Sequence, residues 1–110
     1  MLDVQTACTA LRSKVCLQVS YDRYMRVVEV HACGYTKENR AIARVWQVRG
    51  GSVSSEPVGW KLLRLDEATG GLVLRDEESQ APRHGYKPND RAIARIVCQI
   101  DPAAFTWPSR

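Results

Sequence analysis

Arg40-Ala41-Ile42-Ala43-Arg44-Val45-Trp46-Gln47-Val48 alternates small or β-branched apolar residues with polar and aromatic ones. That is the period of a strand with one buried face. If extended, it places Ala41, Ala43 and Val45 on one side and Arg40, Ile42, Arg44 and Trp46 on the other. The pentapeptide Arg-Ala-Ile-Ala-Arg returns at Arg91 to Arg95 and runs into Ile96-Val97-Cys98-Gln99-Ile100. As a strand this copy sorts Ala92, Ala94, Ile96, Cys98 and Ile100 against Arg91, Ile93, Arg95, Val97 and Gln99. Asn89 or Asp90 could instead cap a short helical turn at Arg91 to Arg95. The intervening sequences do not match, so the copies do not imply a repeat architecture. In each copy one face suits a small core. The other carries paired guanidinium groups, which either hold an anion or form an ordinary solvated outer face.

Working outward, Val4, Ala7, Cys8 and Leu11 fall at spacings of three and four, which predicts a helix from Leu2 to about Lys14 with Asp3 as cap or first-turn acid. The period then changes to two, with Val15, Leu17, Val19 and Tyr21 alternating with Cys16, Gln18 and Ser20 before a turn at Asp22-Arg23. From Met25 to Cys33 a β-branched strand is expected, with Val28, Val30 and Ala32 on one side and Val27, Glu29, His31 and Cys33 on the other. The polar connection from Gly50 to Gly59 implies mobility. A strand from Trp60 to Asp66 turns Leu63 and Leu65 inward beside the stem of Lys61, and Arg64 outward with Trp60 and Leu62. A short strand follows at Leu72 to Arg75, then turn chemistry from Ala81 to Asp90, then the last strand between Ile93 and Ile100. The expected fold is mainly β (α+β), with one N-terminal helix and five to six short strands in a small barrel or a strongly bent antiparallel sheet. Residues 1–101 form one domain and 102–110 a C-terminal tail.

The chain has 110 residues, of which 45% are apolar and 25% charged, the proportions of an ordinary globular protein. No run of eighteen apolar residues predicts a membrane span. Asp3 stands where a secretion signal would be basic, so a cytoplasmic location is expected. Net charge is +4, and twelve of the sixteen basic residues are Arg, whose planar fork favours anionic partners. Acids cluster apart from them, at Asp66-Glu67 and Asp76-Glu77-Glu78. Cys8, Cys16, Cys33 and Cys98 show no zinc-ribbon or thioredoxin spacing and are expected as reduced, buried thiols. His31 and Cys33 would point the same way on a strand, with His84 as a possible third ligand. Structural zinc wants four organised ligands, so no metal and no cofactor is expected.

The order of these segments resembles the WYL family, small Sm-like barrels found mostly in bacterial regulatory proteins and named for a Trp-Tyr-Leu motif. The resemblance covers roughly residues 2 to 75. It includes Arg26-Val27-Val28-Glu29-Val30-His31, with Val30 in place of the family's proline, and Lys61-Leu62-Leu63-Arg64-Leu65-Asp66, followed by Glu67 where a second arginine is usual. Arg44-Val45-Trp46 stands in place of the name motif. No winged helix precedes the barrel, so a free-standing variant is expected.

The resemblance implies a patch of basic and aromatic side chains that holds a nucleotide or single-stranded nucleic acid. The matching positions are Arg26, His31, Trp46, Lys61 and Arg64, to which strand alternation adds Arg44. Arginine neutralises phosphate and an aromatic face stacks a base, worth about 1–3 kcal/mol per base. Arg44 could instead pair with a surface acid such as Glu29. Arg83 and Tyr86, in a loop set by Pro and Gly, are further candidates over the barrel mouth, unless Tyr86 simply packs down. With no nucleophile elbow, phosphate-gripping loop or zinc-helix motif, a non-enzymatic module is expected, and the resemblance implies a regulatory setting for it. The alternative is an interaction or oligomerisation domain, a homodimer among its forms, that buries Trp60, Phe105 and Trp107 against a partner.

Overall fold

A computed structural model describes residues 2–52 and 56–101. Its first element is helix α1, Val4–Ser13, whose Asp3 cap accepts from the Thr6 N–H at 2.8 Å. Lys14 ends the helix in the left-handed region, at φ 60°. The stripe Val4, Ala7 and Cys8 is buried, as its spacing predicts.

Six strands follow: β1 (Val15–Tyr21), β2 (Tyr24–Tyr35), β3 (Ala41–Gly50), β4 (Gly59–Arg64), β5 (Thr69–Glu78) and β6 (Arg95–Gln99). They form one antiparallel sheet in the order β4-β3-β2-β1-β5. A 3-10 turn, Leu65–Glu67, joins β4 to β5. Among the described residues no ladder connects those two strands, so the sheet stays open. β2 is the spine. β3 occupies one edge of it, so β1 and β6 must share the other: β1 pairs with the first half of β2 and β6 with Ala32 to Tyr35.

The helix lies against β1, β2, β3, β5 and β6. Leu17, Val19, Val28, Val30, Val45, Leu63 and Leu65 close the core beneath it. Each buried Val or Leu contributes about 1.5–3 kcal/mol. Ala43 and Val45 face this core, as the alternation of β3 predicts. Among the described residues no helix is long and apolar enough to cross a membrane.

Three expectations need correction. β2 does not alternate throughout. Between Val30↔Val45 and Ala32↔Arg44 it carries one extra residue, His31. This bulge sends Cys33 into the core, apart from His31, so the two cannot share a metal. A second register shift, between Cys33↔Cys98 and Gly34↔Ile96, makes Val97 the extra residue of β6. Val97 and Cys98 therefore pack on the core while Ile96 packs on a second, smaller cluster, against the sorting expected from strict alternation. Finally, β5 runs ten residues rather than four.

The two pentapeptides flank the end of β2, and only the first is a strand. The second begins as a turn. Asp90 accepts the Ala92 N–H on its side chain, at 3.0 Å, and the Ile93 N–H on its carbonyl, also at 3.0 Å. The middle residues Ile42 and Ile93 share the smaller cluster with Ala32. A Cβ on Gly34 would strike the Arg95 carbonyl and the Ile93 side chain, so glycine permits this close approach. The last arginine of each copy reaches the residue just before the other. Arg44 grips Asp90 at 2.6 and 3.3 Å, and Arg95 donates to Asn39 Oδ1 at 2.9 Å.

Candidate functional site

The outward face of the sheet is covered by residues 79–94, and the row Glu29, Trp46, Trp60 shows how. These side chains lie in register across β2, β3 and β4. Glu29 is buried and receives Arg83 Nε at 2.7 Å, Arg83 Nη2 at 3.1 Å and the Gln80 N–H at 2.7 Å. The Arg83 guanidinium also sits 5.4 Å over the Trp46 ring. A buried carboxylate is thus matched by a bidentate arginine and a backbone donor, the arrangement that makes burying its charge tolerable.

His31 is fully enclosed beside this pair. The Arg83 N–H donates to its Nε2 at 2.9 Å, so Nε2 is the unprotonated nitrogen and Nδ1–H donates to the Glu29 carbonyl at 3.0 Å. Burial pushes its pKa down to about 4. Its ring packs edge-on to Trp60 at 4.7 Å and near Tyr86 at 5.5 Å. The Tyr86 hydroxyl donates to the Ile100 carbonyl at 2.6 Å, and burial raises its pKa to about 12. Both side chains brace the loop.

The open space lies one step along. A cleft of about 760 Å³ runs between Arg44 and Trp60 on the sheet and Gly85 to Arg91 on the loop. That volume suits a ligand of roughly nucleotide to drug size. Trp60, supported from behind by Trp46 at 5.4 Å, gives it an aromatic side. The Arg44–Asp90 pair forms its polar end, and the guanidinium holds the Asp90 carboxyl below the usual carboxylate range. Lys87 and Arg91 are exposed on the loop and carry no ion pair among the described residues.

The eight expected site residues do not converge. Arg44 and Tyr86 line the cleft. His31, Trp46 and Arg83 lie behind it as support for the loop. Arg26 is buried on the Val28–Val30 side of β2, donating to the Tyr21 carbonyl and to Gln47 Oε1, both at 3.3 Å. Lys61 donates to Ser52 Oγ at 3.2 Å. Arg64 joins Arg40 around Asp66, with Glu67 at its other side. The acids that stand apart in the sequence therefore neutralise arginines, and Glu77 does the same for Arg49. Arg44 does pair with an acid, but with Asp90 rather than Glu29.

Sequence reasoning missed Lys87, Asp90 and Arg91 as parts of one site, because loop packing brings them to β3 and no spacing records it. Trp60, expected on an interaction surface, instead lines this cleft. Phe105 and Trp107 lie outside the described residues, as does the expected tail, together with residues 53–55 of the Gly-rich connection. Compared with protein families, curated proteins and solved structures, the chain matches none.

Proposed function

We propose that the cleft between β3, β4 and the 83–91 loop holds an anionic ligand bearing an aromatic ring, a nucleotide or a short stretch of single-stranded nucleic acid. The carrying observation is one open space that joins an aromatic face, Trp60, to three cations, Arg44, Lys87 and Arg91. Phosphate would be neutralised by Lys87 and Arg91 and by the outer side of Arg44, while a base stacks on Trp60. In this reading the chain is a non-catalytic, WYL-like sensing module, of the kind used in bacterial regulation. Two features support the lack of catalysis: both His31 nitrogens are committed, and Asp90 is held ionised by Arg44. A small Sm-like barrel is the finer description of the fold, supported by a four-strand meander, β1 to β4, with β5 beside β1, and a 3-10 turn between the outer strands β4 and β5.

Anisotropy of a labelled oligonucleotide tests this. Binding is expected to weaken steeply with salt, with a slope that flattens by about 0.7 for each phosphate contact removed. The double reversal Lys87→Glu/Arg91→Glu, both on the exposed loop, should abolish binding while the circular dichroism spectrum stays unchanged. Binding that survives it refutes the assignment.

A further inference from the structure

On the helix side of the sheet, in the main core, three sulfurs meet. Cys8 of α1 and Cys98 of β6, expected as reduced thiols, instead form a disulfide across 90 residues. Cys33 of β2 places its Sγ 3.0 Å from each of their sulfurs. The three residues are 0%, 7% and 0% exposed, in the order Cys8, Cys98 and Cys33. A disulfide needs two cysteines, so the third requires its own account.

Thiol–disulfide exchange is one account, with Cys33 attacking the bond. Displacement at sulfur proceeds with the attacking and leaving sulfurs in line through the sulfur attacked. A sulfur equidistant from both partners lies beside their bond, and the angle it makes at either one is acute. Cys33 is thus poorly placed to attack. A triangle of sulfurs is instead the arrangement of three ligands round a shared centre.

We propose that, once reduced, Cys8, Cys33 and Cys98 form a three-sulfur site for a thiophilic trivalent centre, arsenic(III) being its representative, and that the disulfide is the oxidised form without it. Sulfur ligands select soft centres. Among the described residues no His, Asp, Glu or fourth Cys joins the group, so the closed tetrahedral site of structural zinc is not available. Charge decides the rest. Three thiolates leave a net negative charge round a monovalent or divalent ion but none round a trivalent one. The surroundings, which include Val4, Val30 and Val45, make buried charge costly.

The chemistry balances without leaving charge behind. A dithiol reductant gives two electrons and two protons to the Cys8–Cys98 bond and becomes a disulfide. Arsenous acid then condenses with the three thiols. Three As–O bonds break, three As–S bonds form, and each thiol proton leaves with a hydroxide as water.

Native mass spectrometry of the full chain, reduced and titrated with arsenite, tests the proposal. One adduct is expected, heavier by one arsenic and lighter by three hydrogens, with sulfur-to-arsenic charge transfer in the ultraviolet. The oxidised protein should not form it, which requires no mutation. Cys33→Ala should weaken uptake on the order of 100-fold by removing one arm of the chelate. Cys16→Ser, a buried cysteine outside the cluster, should leave it unchanged. An adduct lacking only two hydrogens, no uptake by the reduced chain, or uptake unchanged in a folded Cys33→Ala protein overturns it.

Discussion

Two identical pentapeptides sit either side of the same strand end and adopt different structures. Arg40 to Arg44 enters β3, pairing with β2 and β4, and its Ala43 is fully buried. Arg91 to Arg95 starts as a turn because Asp90 captures the next amides before a ladder can, and its Ala94 is exposed. Five residues therefore do not determine their own conformation. The flanking cap and the available edge of β2 decide it. The copies nevertheless depend on each other, through Ile42 against Ile93 and through the reciprocal arginines.

Changing matched positions breaks this comparison most sharply. Ala43→Glu puts a charge into the core with no partner and should cost more than about 4 kcal/mol, leaving the chain unfolded. Ala94→Glu should stay within about 0.5 kcal/mol in urea unfolding. Equal effects would mean that the two copies are not buried differently.

The loop that precedes the second copy has its own weak point in His31, whose Nε2 holds the Arg83 N–H. Its folded pKa of about 4 lies below the ordinary 6.5, so folding favours the neutral ring. Above pH 6.5 both folded and unfolded chains are neutral there and the stability is fully present. As pH falls from 6.5 towards 4 the unfolded chain takes up a proton that the folded one refuses, and about 3 kcal/mol is lost. Urea melts across that window should show the loss. In His31→Asn this component of the pH dependence should vanish.

The reciprocal arginines give the smallest effects. Asp90→Ala removes both the cap and the partner of Arg44 and should cost about 1–2 kcal/mol. Arg95→Ala breaks an exposed contact and should cost about 0.5 kcal/mol. A double-mutant cycle on Arg44 and Asp90 should give a larger coupling than one on Arg95 and Asn39.

Much of the fold is legible where the period is unbroken. α1, β1 and β3 follow their apolar spacing, since Val4, Ala7, Cys8, Leu17, Val19, Ala43 and Val45 all face the main core. β2 defeats the same reasoning because one extra residue at His31 reverses every side chain beyond it. Arg44 beside the cleft could be read from alternation, whereas Asp90, Lys87 and Arg91 could not, because a loop of irregular backbone carries them there. The cysteines were illegible for a related reason. Cys8, Cys33 and Cys98 come from a helix and two strands, so no local spacing marks them.

Heteronuclear NMR with a mononucleotide at low salt tests the central assignment most directly. Shifts are expected at the Trp60 indole N–H and along the amides of Gly85 to Arg91, with α1 unmoved. Shifts confined to Arg26, Lys61 and Arg64, or none at millimolar nucleotide, would contradict a ligand site in this cleft.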